Sequence, residues 1–153
     1  MMEIHIVLDN IRSCFNVGSI FRSADGVGCV KKIYLCGITA DVGNPKLEKT
    51  ALGATHMVSS QHYDTTQEAL EEIRKQDIPI YSVEISKDAE NFQKIRYPQK
   101  VALIFGHEKT GIGEDILQNS DKIICIPMRG KKESLNVANC ATAILYEVTR
   151  NVD

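Results

Sequence analysis

A chain of 153 residues, 43% hydrophobic and 25% charged, is expected to fold as one domain around a sizeable core. Its net charge of −2 excludes a globally basic nucleic-acid-binding surface, so a polyanion would have to be held by local basic clusters. No apolar run reaches the length of a bilayer, and the short acidic start Met1 to Asp9 is not a signal peptide, so a cytoplasmic protein with no membrane partner is expected.

The predicted elements alternate. Glu3 to Leu8 is a largely apolar strand. After a loop carrying Arg12, Asn16 suits the N-cap of a helix with Val17, Ile20, Phe21, Ala24 and Gly28 on its apolar stripe, closed by Gly26 and Gly28. Lys32 to Cys36 is a strand, Pro45 to Gly53 a short helix, basic at Lys46 and Lys49, and His56 to Ser59 a short strand. Thr65 to Gln76 is amphipathic, with Ala69, Leu70 and Ile73 inward. Ile78 to Ile85 is a strand interrupted early by Pro79, and Ser86 to Gln99 is irregular or partly helical. Val101 to Phe105 is a continuous apolar strand, Gly106 to Gly113 a glycine-bounded loop, and Glu114 to Asn119 a short helix. Lys122 to Ile126 returns to strand. From Asn136 on, Val137, Cys140, Ala141, Ile144, Leu145 and Val148 fall on one helical stripe. Strand–helix alternation of this kind implies a parallel α/β sheet covered on both faces, in one domain without repeats or linkers.

Cys14, Cys29, Cys36, Cys125 and Cys140 are odd in number and lack C-x-x-C spacing, so reduced, buried thiols are expected. His5, His56, His62 and His107 are scattered, so no metal site is expected. Ser134 lies in no G-x-S-x-G elbow, which excludes a hydrolase nucleophile of that type.

Three stretches could carry chemistry. In Asn16-x-Gly18-x-x-x-Arg22, Gly18 and Arg22 share a helix face away from the apolar stripe. In Phe105-Gly106-His107-Glu108-Lys109-Thr110-Gly111, glycines after a buried strand let a ligand approach the backbone, but the spacing is not that of a P-loop. In Ile126 to Asn136, a loop with Arg129, Lys131 and Lys132 runs into the start of a helix at Ser134, Leu135 and Asn136, where unpaired N–H groups and a positive dipole end can hold an anion. Alone, the first is compatible with an ordinary cap, the second with a tight turn and the third with a solvated loop and a cap.

In this order, Asn16-x-Gly18-x-x-x-Arg22, Phe105-Gly106-x-Glu108-x-x-Gly111, and Ile126-Pro127-Met128 with Ser134-Leu135-Asn136-Val137-Ala138 resemble the three motifs of the SpoU (TrmH-type) RNA ribose methyltransferases of the SPOUT superfamily, over nearly the whole chain. The resemblance implies a parallel α/β fold whose C-terminal segment forms a deep trefoil knot, an exception to the rule against knots. It implies a homodimer with active sites shared between chains, and S-adenosylmethionine as cofactor. Arg22 would be the catalytic residue acting on a ribose 2′-hydroxyl, as base or as electrostatic stabiliser. Asn16, Glu108, Ser134 and Asn136 would build the active site. Gly106, Ile126, Met128, Ser134 and Leu135 would line the cofactor pocket, with Glu84 as a further contact. Only RNA, as tRNA or rRNA and not DNA, offers the 2′-hydroxyl. Arg12, Lys46, Lys49, Arg129, Lys131 and Lys132 are the candidate phosphate contacts. A single catalytic domain, residues 1–153, with no appended RNA-binding domain is expected, and His107 and Lys109 depart from the family's usual residues. A catalytically idle SAM- or RNA-binding relative and a base-nitrogen methyltransferase are the alternatives.

Overall fold

In the computed structural model, which describes residues 1–152, seven strands form one sheet in the order β3-β2-β1-β6-β4-β7-β5, every pair parallel. The elements are β1 (Glu3–Asp9), α1 (Cys14–Val27), β2 (Val30–Cys36), α2 (Pro45–Ala51), β3 (Ser60–Tyr63), α3 (Thr66–Arg74), β4 (Ile80–Val83), β5 (Glu90–Asn91), β6 (Lys100–Gly106), α4 (Glu114–Gln118), β7 (Lys122–Cys125) and α5 (Val137–Val148). The chain builds outward from β1 to β3 and then crosses back. It places β6 between β1 and β4, and β7 beyond β4. The loops leaving β4, β6 and β7 therefore emerge side by side at one edge, where open α/β sheets bind ligands.

Alternation along the strands sends side chains to two cores. Ile4, Ile6 and Leu8 of β1 face α1, α2 and α5, and pack with Phe21, Leu103 and Leu145. Val7 faces α3 and α4, with Tyr34, Ile104, Leu70 and Ile73. Burying each large apolar side chain contributes about 1.5–3 kcal/mol.

Several expectations are corrected. Ser13, not Asn16, caps α1: its Oγ accepts from the Asn16 N–H at 3.2 Å. That leaves the Asn16 side chain free for tertiary bonds. Gly28 closes the helix at φ 72°, whereas Gly26 lies inside it. Gly18 does not share an open face with Arg22 but is buried against α2. A Cβ there would sit 2.1 Å from Thr50 Oγ1 and 2.3 Å from the Leu47 carbonyl oxygen, so only glycine allows the two helices this close. The third strand is Ser60–Tyr63, not His56 to Ser59, because residues 54–56 form a 3-10 turn with the Met57 and Val58 N–H groups bonded back to Ala54. A polar Ser-Gln-His-Tyr run serves here because β3 is an edge strand and buries only Tyr63. Of the five free cysteines only Cys36 is fully buried; the others are half-buried.

Candidate active site

The loops after β4, β6 and β7, together with the first turn of α5, enclose a cavity of about 730 Å³. That is within the roughly 300–1,000 Å³ of small-molecule sites. Its apolar lining includes Val83, Ile85, Phe105, Ile126, Leu135 and Val137. Its polar lining includes Glu84, His107, Glu108, Lys109, Glu133 and Asn136, with Asn16 reaching in from α1. At Gly106 a Cβ would come within 2.6 Å of Ile112 Cγ1 and 2.8 Å of the Gly111 and Ile112 backbone, so the loop folds back over bare backbone.

One hydrogen-bond chain joins the loop after β6 to both helices that flank the cavity. The Glu108 carboxylate accepts from the Arg12 N–H (2.9 Å), the Ser13 N–H (3.0 Å) and Asn16 Nδ2 (3.2 Å). Asn16 Oδ1 accepts from Asn136 Nδ2 at 3.1 Å. Asn136 Oδ1 in turn caps α5, accepting from the N–H groups of Ala138 (2.9 Å) and Asn139 (3.1 Å). An ionised carboxylate only accepts, so Asn16 must turn its NH₂ to Glu108 and its oxygen to Asn136. That fixes both amides without ambiguity. The turn carrying Glu108 is itself rigid. Gly111 N–H donates to the His107 carbonyl at 2.8 Å, and His107 Nδ1 accepts from the Lys109 and Thr110 N–H groups at 3.1 and 3.2 Å.

Burial alone would raise the Glu108 pKa, but the N–H groups of Ser13 and Arg12 and the Asn16 amide outweigh it and hold the carboxyl below its ordinary value. A depressed folded-state pKa stabilises the protein above the unfolded value, and that stability is lost as pH falls through the folded one. Glu108→Gln is therefore expected to lower Tm by about 2–4 °C above pH 5, as befits a half-buried group. The gap should close as the pH is taken down through 4 and below, as followed by thermal melts of both proteins over a pH series. A gap that does not change with pH would count against this charge.

Of the residues the sequence singles out, the structure brings Asn16, Glu84, Gly106, Glu108, Ile126, Ser134, Leu135 and Asn136 to one cavity. Met128 is half-buried in the loop after β7, outside the lining. Arg22 is exposed on α1 and does not line the cavity. Arg12, Lys46, Lys49, Arg129, Lys131 and Lys132 are all exposed, and none is in an ion pair among the described residues. Sequence reasoning misses Glu133, Cys125 and Cys140 as lining residues. Cys140 was legible in principle, being one turn beyond Asn136 on the same helix.

Fold and site thus define a parallel α/β protein with a small-molecule cavity at its strand ends, tied together by a Glu108–Asn16–Asn136 lock. The chain belongs to the SpoU rRNA Methylase family, whose model matches residues 3–146. It is 29% identical over 148 residues to the tRNA (guanosine(18)-2′-O)-methyltransferase of Thermus thermophilus, covering 97% of this chain and 75% of that protein. It resembles the AviRb SpoU methyltransferase of Streptomyces viridochromogenes, solved in complex with AdoMet, with TM-score 0.88 and 28% identity; the match covers 97% of this chain but only 60% of that one. A chain solved to study the 2-OH methylation of C/U34 on tRNA matches with TM-score 0.87 and 25% identity, covering 99% of this chain and 97% of that one.

Proposed function

We propose that the protein transfers a methyl group from S-adenosylmethionine to a ribose 2′-hydroxyl of tRNA or rRNA. The observation that carries this reading is the convergence of Gly106, Glu108, Ile126, Ser134, Leu135 and Asn136 on one cavity, in a chain whose relatives are RNA 2′-O-methyltransferases. The cavity suits the cofactor. Its apolar walls fit an adenine, its bare backbone at Gly106 offers polar groups at close range, and its carboxylates suit a cationic ligand. Gly106, Ile126 and Leu135 would hold the cofactor, which when bound supplies an electrophilic methyl carbon. Residues 1–153 act as one catalytic domain in the cytoplasm, and no helix among the described residues is long and apolar enough to cross a membrane. The segment through β7, the loop after it and α5 is the part we take to be knotted.

In-line transfer is mostly a matter of position. The Glu108–Asn16–Asn136 lock does this work: it spends its polar atoms on itself and so fixes the cavity wall. Arg22 does not line the cavity that its own Asn16 lines. Six residues on, it lies about 9 Å farther along the helix and about 120° away around it. We therefore assign it to the cavity of a second copy in a homodimer. The exposed faces of α1 and α5 and the loop before α5 support such packing, with Phe15, Tyr146 and Leu135 46%, 53% and 42% exposed. There the guanidinium, which stays charged, stabilises the alkoxide that develops as the ribose hydroxyl passes its proton to an adjacent RNA phosphate and from there to solvent. The exposed cations Arg12, Lys46, Lys49, Arg129, Lys131 and Lys132 hold RNA phosphates.

The test uses purified protein, isotope-labelled S-adenosylmethionine and RNA from cells lacking the protein, followed by nucleoside analysis. Label in one 2′-O-methyl nucleoside is expected. Label in a base would make it a base-nitrogen enzyme, and no label with intact cofactor binding would make it an idle relative.

A further inference from the structure

The geometry points to Glu84 as a two-sided residue: one carboxylate oxygen reads the ribose hydroxyls of the adenosyl group, while the other latches the loop that carries Glu108. This rests on the cofactor assignment above and extends it to a specific subsite and its coupling.

Glu84 stands directly after β4, held there by its N–H to the Ile124 carbonyl at 3.0 Å, and lines the cavity. Its Oε2 accepts from the Ile112 N–H at 2.8 Å. Gly111, at φ 67°, packs onto the same carboxylate; a Cβ there would lie 2.3 Å from Oε2. The loop after β6 is thus shaped to receive this side chain, and only glycine tolerates both the conformation and the approach. Among the described residues the other oxygen, Oε1, accepts only from the Ile85 N–H, in the adjacent peptide, at 3.2 Å. No cation pairs with Glu84 among the described residues, so its charge is left for a ligand.

Among the groups an adenosyl sulfonium presents, the vicinal ribose diol is the one that matches a strand-end carboxylate: two O–H donors, read by one acceptor-only group. Dinucleotide-binding sheets use a carboxylate for the same purpose. The turn between Gly106 and Ile112 then links the two ends of the site. It is fixed by Glu84 at Ile112 and by Glu108 at Arg12, Ser13 and Asn16. A ligand that orders Glu84 therefore also orders the turn on which Glu108 holds the start of α1. Glu84 is a cofactor-positioning residue on one side and a loop latch on the other.

The experiment measures, by calorimetry on the full chain, the affinities of S-adenosylhomocysteine and of its 2′-deoxy and 3′-deoxy counterparts, for the natural protein, Glu84→Gln and Glu84→Ala. The natural protein is expected to lose roughly tenfold or more on removal of a hydroxyl, the size of one hydrogen bond to a charged group. Both variants should bind S-adenosylhomocysteine more weakly and no longer distinguish the deoxy compounds. Hydrogen exchange on the unliganded proteins should show the Ile112 amide exchanging faster in the variants. Equal weakening for all three ligands, with the hydroxyl preference kept, would make Glu84 a latch only and overturn the proposal. So would a changed preference for S-adenosylmethionine over S-adenosylhomocysteine with no change toward the deoxy compounds, which would place Glu84 at the sulfonium. Failure of the natural protein to bind S-adenosylhomocysteine at all would instead remove the cofactor assignment itself.

Discussion

Arg22→Ala is expected to abolish methyl transfer while leaving the affinity for S-adenosylmethionine within a few fold. The side chain is exposed, makes no ion pair among the described residues and lies outside the cavity lining, so its loss removes nothing that shapes the pocket. The same geometry makes a stronger demand. If the guanidinium serves a second copy, an inactive Arg22→Ala chain and an inactive chain with a ruined cavity should restore each other. The first offers an intact cavity, and the second offers its arginine. Random pairing gives half mixed dimers with one working site each, so about a quarter of the natural activity is expected on co-expression. No recovery, with mixed dimers shown to form, would place Arg22 in its own chain's site or remove it from the reaction.

Asn136→Ala supplies the ruined cavity and is the second large effect. It removes the cap of α5, which costs about 0.5–2 kcal/mol. It also cuts the bond to Asn16 and leaves the Asn16 oxygen without its donor. Cofactor affinity should fall at least tenfold and turnover further. Asn136→Asp separates the two losses. Its carboxylate can still accept from the Ala138 and Asn139 N–H groups, but it cannot donate to Asn16 Oδ1. Stability close to natural together with strongly reduced binding and turnover is the expected pattern. Cofactor binding that stays normal in Asn136→Asp would show that the Asn16–Asn136 bond is dispensable.

The parallel α/β class was legible because apolar runs such as Val101 to Phe105 and stripes such as that of α5 can be buried in few other ways. β3 was not, since an edge strand needs no apolar pattern and its Ser-Gln-His-Tyr run looks like loop. Most of the residues that line the cavity were named through the resemblance of three motifs to one family, because spacing alone left each motif compatible with a cap, a tight turn or a solvated loop. What the sequence hides is which partner a polar side chain chooses. Asn16 looks like a cap residue, yet Ser13 takes that role and Asn16 bonds across to Glu108 and Asn136, 92 and 120 positions away. Gly18 looks like an open helix face, yet α2 rests on it, a contact between elements that no local pattern reports. Arg22 shows the limit most clearly. Its motif names it, but one chain's fold turns it outward and away from the cavity lining, which no local pattern reports.

The most direct test of the central claim is a crystal structure of the protein with S-adenosylhomocysteine. The expected result is a two-fold dimer with the ligand in the cavity beside Gly106, Ile126 and Leu135, and the second copy's Arg22 guanidinium facing the sulfur across the interface. A ligand bound elsewhere, or both Arg22 side chains in bulk solvent away from either cavity, would contradict it.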